Sequence, residues 1–310
     1  MFGFFVDLLL KNTAWYQDSV VDFRHERYRD PIWCQQHPSD CMDFVNLGSS
    51  SAKWAFDWEK IGVKGLNWAN QPQTLIDDLR LFKQYHSVLN NSGKVLISIM
   101  PFSGLNKETG LLDTYKYCGI MDYSLMDSRY RDRAMRLFRH PSIWGKKNAL
   151  RQIALHYLGR EKKRPLPHGA MDDHNPMTEE KMVEDAQRMM DGWAKEFGIN
   201  DFGEPLSEVN RQGREIRINV LKELIDFSTE RGYEPVVVIL PVAKQLANLF
   251  SEAFREKYIY SFLRSVGSDV RTLDYLQDET FQDPALYFNS FCLNKRGRET
   301  FTKNIHSIVR

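Results

Sequence analysis

The residues best suited to chemistry lie near the start of the chain, in the run Asn46-Leu47-Gly48-Ser49-Ser50-Ser51. The run closes a short apolar segment, so its serines fall at the carboxyl end of a strand, where open parallel sheets bind ligands. Gly48 permits a sharp turn. The serines after it offer hydroxyls, which attack acyl groups when a base takes the proton, and backbone N–H groups, which are natural donors to a developing oxyanion. Serines after a strand are also ordinary helix caps, so the run alone does not separate a nucleophile from a cap. Lys53 suits either an anionic substrate group or a solvent-facing helix position. Trp54, Trp58 and Trp68 suit either stacking on sugar rings or a core between helix and sheet.

A second polar concentration occupies 165–176, a Gly/Pro-bounded loop carrying His168, Asp172, Asp173 and His174. An exposed polar loop is the plain reading. A divalent-metal site from His168, Asp172 and His174 has no diagnostic spacing, and no metal is assigned. No cofactor is expected either: the chain has no Walker-type Gly-x-x-x-x-Gly-Lys loop and no Gly-x-Gly-x-x-Gly loop.

The elements that must position these residues alternate. Apolar runs at 42–48, 61–68, 94–100, 235–241 and 269–274 read as strands. Helices are expected from Pro72 to about Leu89, with Leu75, Leu79, Phe82 and Val88 inward and Asn90–Gly93 as the stop, then over 207–230 and 251–265. A last helix starts at Asn294 or Lys295, with Phe301 and Ile305 on its apolar side. This rhythm predicts one three-layer α/β/α, flavodoxin-like domain over 1–310 with a mainly parallel sheet of about five strands. The interval 105–206 breaks it and reads as a helical insertion capping the strand ends, with helices at 129–140, 146–159 and 177–197.

Charge is balanced overall and segregated locally. The 310 residues carry 42 Lys and Arg against 41 Asp and Glu, which gives no support for a nucleic-acid binder. Between Arg129 and Arg164 there are 12 basic and two acidic residues; between Asp172 and Glu208 there are 11 acidic and three basic. Either two solvated faces neutralise each other, or the basic half forms an anion-binding wall suited to phosphates or an acidic glycan. Four cysteines (Cys34, Cys41, Cys118, Cys292) are too few and too scattered for a disulfide scaffold or zinc finger. No stretch approaches 18 apolar residues, so no membrane-spanning segment is expected. The N-terminal MFGFFVDLLLKN makes a poor signal peptide. It reads as a short docking helix, with a membrane-surface role as the alternative. A cytoplasmic protein is the expectation; its oligomeric state is not legible.

The far end of the chain reads Asn289-Ser290-Phe291-Cys292-Leu293-Asn294-Lys295-Arg296-Gly297, then Phe301-Thr302. Together with Gly48-Ser49-Ser50 this resembles the SGNH/GDSL-type hydrolases, closest in character to the branch that modifies cell-envelope polysaccharides and teichoic acids. In that family the last Ser of the first block is the nucleophile, here Ser50. The final block reads Asp-x-x-His-Leu-Asn-x-x-Gly, so Asn289 replaces the Asp and Cys292 the His. The resemblance spans about 40–305, and its specific parts are these two blocks. For the oxyanion pocket it points to Gly48 and Ser49, to Gly65 or Asn67 after the second strand, and to the Pro101–Gly104 loop with Ser103.

What the resemblance implies is an esterase or O-acyltransferase acting on a polysaccharide or a cell-envelope glycan precursor, with a degenerate triad. A serine needs a base, and the base needs a carboxylate to hold its tautomer. His174 or His168 from the 165–176 loop would be adequate as a replacement base. Cys292 is either a nucleophile with a depressed pKa or an inert filler of the vacant imidazole space. The alternative is an inactive, glycan-binding or accessory protein of polysaccharide biosynthesis. Partners on either reading are a glycan or acylated small molecule and polysaccharide-assembly enzymes, without nucleic acid.

Overall fold

The computed structural model describes residues 9, 12–13, 36, 38–70, 73–105, 121, 149–160, 177–267 and 270–310. They divide into two compact units, one from 1–29 with 112–173 and a larger one from 30–111 with 174–310. The larger unit is built on a five-stranded parallel sheet in the order β2-β1-β3-β4-β5. Its strands are β1 (Met42–Leu47), β2 (Gly65–Asn67), β3 (Leu89–Ile99), β4 (Glu234–Ile239) and β5 (Thr272–Asp274). This is the flavodoxin-like order, and helices flank the sheet in three layers. The strand order reverses between β1 and β3, which places a crevice at their carboxyl ends.

Alternate side chains of the central strands go to opposite faces, as the period of two requires. Phe44, Leu96, Val236 and Val238 join Phe301, Ile305 and Val309 in one core. Those three line the apolar side of the C-terminal helix, Lys295–Val309. The helices Leu75–Tyr85 and Glu208–Glu230 pack on each other, and the second lies against β4. Leu75 follows Thr74, whose side chain and that of Asp77 close a reciprocal capping box.

Two sequence expectations differ from the fold for local reasons. Asn90–Gly93 does not separate helix from strand but is the bulged start of β3, with Ser92 at φ 64°. Asn90 donates to Asp43 (2.6 Å) and the Ser92 N–H to the Gly232 carbonyl (3.0 Å), so the polar run is paired rather than looped out. The helix expected over 251–265 is three pieces: Glu252–Arg255, a π-helical turn Glu256–Tyr260, and Ser261–Val266.

The helix Glu179–Glu196 belongs to the larger unit. It buries Met182 in one core and Ala186 and Met190 in another built around Phe102. In the smaller unit the helix Ala149–Tyr157 is described; the expected helix 129–140 and the N-terminal docking helix fall almost wholly outside the described residues. Cys41 is disulfide-bonded and Cys292 is free. Among the described residues no helix is long and apolar enough to cross a membrane.

Candidate functional site

The chain after β1 does turn sharply. Gly48 has φ 134°, and a Cβ there would stand 2.8 Å from that of Ala52 and 2.9 Å from that of Ser98, so β1, β3 and the next helix meet too closely for any other residue. Ser50 is the first residue of that helix, Ser50–Lys53, directly over the β1/β3 crevice. Ser49 holds the N-cap position without capping; its hydroxyl instead accepts from the Gln73 N–H (3.3 Å). The N–H groups of the first helical turn have no i−4 carbonyl to bind. The Gly48 N–H, by contrast, donates to Asp78 (3.0 Å), a buried carboxylate that also receives the Gln73 side-chain amide (2.6 Å). It is committed to the fold and unavailable to an oxyanion.

The final block does converge on this region. Tyr287–Asn289 and Cys292–Leu293 form a small antiparallel hairpin, and the second strand comes within 8 Å, Cα to Cα, of helix Ser50–Lys53. The Asn289 side-chain oxygen accepts the N–H groups of Phe291 (3.1 Å) and Cys292 (2.7 Å), closing the turn. Cys292 is buried. Burial pushes its thiol well above the ordinary value, and the Asp185 carboxylate adds to this against the opposing hydrogen bond of Asn289. A thiol so placed is neither a thiolate nucleophile nor a proton acceptor.

The Leu-Asn-x-x-Gly part of the block has a structural account. Asn294 caps the C-terminal helix by accepting the Gly297 N–H (3.0 Å) and donates to the Ala285 carbonyl (2.8 Å). Gly297 lies against the Leu286 carbonyl, where a Cβ has no room.

Three of the residues expected to form the oxyanion pocket are also structural. Asn67 accepts from Asn46 (2.8 Å) and donates to the carbonyls of Lys53 (3.1 Å) and Phe56 (3.0 Å), while Asn46 receives the Trp58 indole N–H (2.9 Å). Gly65 makes room for the Trp58 ring. The Ser103 hydroxyl accepts the Met100 N–H (2.9 Å), in the turn where Phe102 takes φ 71° among the rings of Trp193, Phe197, Phe254 and Tyr258. Trp54 and Trp68 are 2% and 0% exposed and present no ring face to a sugar. Lys53 ends the Ser50 helix. Asp57, near Ser50 in sequence, is ion-paired with Arg298.

His168 and His174 lie outside the described residues, as do Asp172 and Asp173. Of the described histidines in the larger unit, His86 packs with Phe82, Phe227 and Tyr233 before β3, and His306 against Phe44 near the start of β1. Neither stands beside Ser50. Among the described residues no cluster of three or more His, Cys, Asp and Glu is arranged to hold a metal.

Sequence reasoning missed Asp185. It lies buried on the inner side of helix Glu179–Glu196 and accepts the Ser290 N–H (2.8 Å), while Ser290 accepts the Ala243 N–H through its carbonyl (2.9 Å). Burial acts to raise the Asp185 pKa, but hydrogen bonds from Arg188 and Ser290 outweigh it and hold the carboxyl below its ordinary value. The signal was present: Met182, Asp185, Ala186 and Met190 share one helical face, and a carboxylate in an apolar stripe needs a partner. Asp78 gives the same signal beside Leu75 and Leu79. The buried hydroxyls of Ser98 and Ser290 have no hydrogen-bond partner among the described residues. No family model matches the chain, and no curated protein matches it.

Proposed function

We propose that the chain is an SGNH hydrolase-like protein that no longer performs acyl transfer and serves polysaccharide assembly as a glycan-binding or accessory protein. The occupant of position 292 carries this reading. There the family resemblance puts the general base, and the residue is a buried thiol whose pKa is raised. It takes no proton from Ser50 near neutral pH. Asn289 supplies no charge, and its oxygen is committed to two backbone N–H groups. With the Gly48 N–H bound to Asp78, an oxyanion pocket also lacks one of its expected donors.

A second reading keeps an esterase or O-acyltransferase on a polysaccharide or cell-envelope glycan precursor, with Ser50 as nucleophile and His174 or His168 as base. It is favoured by one placement: Ser50 opens a helix at the crevice between β1 and β3. The sequence points to a cytoplasmic setting, whereas the disulfide at Cys41 favours an oxidising compartment, and we adopt the latter.

Turnover of p-nitrophenyl acetate and of an acetylated glycan by wild type, Ser50→Ala and Cys292→Ala separates the two functions. The accessory reading expects glycan binding without turnover above the Ser50→Ala level. Turnover that falls by about a thousandfold or more in Ser50→Ala, and little in Cys292→Ala, establishes the enzyme instead.

A further inference from the structure

We propose that the smaller unit carries a surface that docks on anionic lipid bilayers, centred on helix Ala149–Tyr157. This helix ends in a Schellman arrangement: the Arg160 N–H bonds the Leu155 carbonyl (2.9 Å) and the Gly159 N–H that of His156 (3.0 Å), with Gly159 at φ 64°. The last turn is thus fixed through Leu158, whose N–H bonds the Ala154 carbonyl (3.0 Å). Leu150, Ala154, Tyr157 and Leu158 fall at i, i+4, i+7 and i+8, one face of a helix. That face is turned to solvent, with Leu150 64%, Tyr157 55% and Leu158 68% exposed.

Exposed leucines at this spacing call for an apolar occupant. The charge around them says which. Arg151 and Arg160, at the two ends of the stripe, are exposed, and the sequence from Arg129 to Arg164 holds 12 basic residues and two acidic ones. A soluble polyanion would use the positive charge and leave the leucines wet. A bilayer bearing anionic headgroups uses both: the leucines and the tyrosine ring enter the acyl boundary while the arginines stay with the phosphates. The helix is nine residues long, so it lies in the interface rather than crossing it. This surface is independent of the Ser50 reading and stands or falls without it.

Co-sedimentation of the full chain with phosphatidylcholine vesicles, with and without phosphatidylglycerol, tests the proposal. Binding should be at least about tenfold stronger to the anionic vesicles and weaken as salt rises. Leu150→Ser with Leu158→Ser, and separately Arg151→Gln with Arg160→Gln, should each reduce it about tenfold. All four residues are exposed, and an unchanged urea midpoint in each double variant verifies folding. Equal binding to neutral and anionic vesicles, or wild-type binding by either variant, overturns the proposal. So does binding to heparin that is indifferent to the leucine exchange and unmatched on vesicles, which would mark a polyanion site. Loss of self-association rather than vesicle binding in the leucine variant would assign the face to a second copy.

Discussion

Removing the Asp185 carboxylate is the most informative perturbation of the hairpin that carries Cys292. Asp185 accepts the Ser290 N–H at 2.8 Å in a buried setting, and Ser290 in turn receives Ala243 from the loop after β4. In Asp185→Ala the Ser290 N–H is left buried without an acceptor. An unmet buried amide costs about 1–3 kcal/mol, and a bond to a charged acceptor lies in the upper part of that range. The ion pair with Arg188 adds little, because the Arg188 side chain is 71% exposed against 4% for Asp185.

The expected loss is therefore about 2–3 kcal/mol for Asp185→Ala and under about 1 kcal/mol for Arg188→Ala, read from urea midpoints at constant slope. Acid adds a second dimension. The folded Asp185 pKa is depressed, so its contribution is complete above the ordinary carboxylate value of about 4 and is lost as pH falls through the lower folded value. Wild type and variant should converge at that acid limit. Equal losses in the two variants, or a gap that persists once the carboxyl is protonated, would refute the assignment of the bond to Asp185.

Other elements yield their own tests. Gly297→Ala drives a methyl group into the Leu286 carbonyl and should lower stability by about 3 kcal/mol in the same assay, whereas Gly62→Ala, with nothing near its Cβ, should cost about 1 kcal/mol through its φ of 69° alone. His86 is held at about pKa 4, first by burial and then by Arg231. It stays neutral in the fold, so its contribution is full above about pH 6.5 and is lost as pH falls towards 4. At this half-buried ring solvent screening limits the effect to about 1–2 kcal/mol. Replacing it in His86→Phe should flatten the pH dependence of the thermal midpoint between pH 6.5 and 4; an unchanged slope would place that titration elsewhere.

The sheet was readable because Val45, Leu96, Val237 and their neighbours are continuous apolar runs, and a strand buried on both faces has no other composition. The C-terminal helix was readable because Asn294 is a cap and Phe301 and Ile305 form its stripe. The polar start of β3 was hidden: Asn90 is a turn residue by type, and only Asp43, far away in sequence, makes it part of a strand. The site was legible in position and misleading in role. Gly48, Gly65, Asn67 and Ser103 have the types an oxyanion pocket uses, but each has a local structural task that depends on distant residues such as Asp78 and Trp58. Trp54 and Trp68 likewise have the composition of a sugar platform and the burial of a core.

The central claim is that Ser50 is not activated, and an alkyl fluorophosphonate tests it without knowledge of any substrate. Such a reagent phosphonylates a serine whose proton is taken by a base and whose oxyanion is stabilised, and passes over an ordinary hydroxyl. Intact-mass measurement of the native full chain after exposure should find no adduct at Ser50, with wild type and Ser50→Ala indistinguishable. A single stoichiometric adduct in wild type that disappears in Ser50→Ala would contradict the account and restore the serine to catalysis.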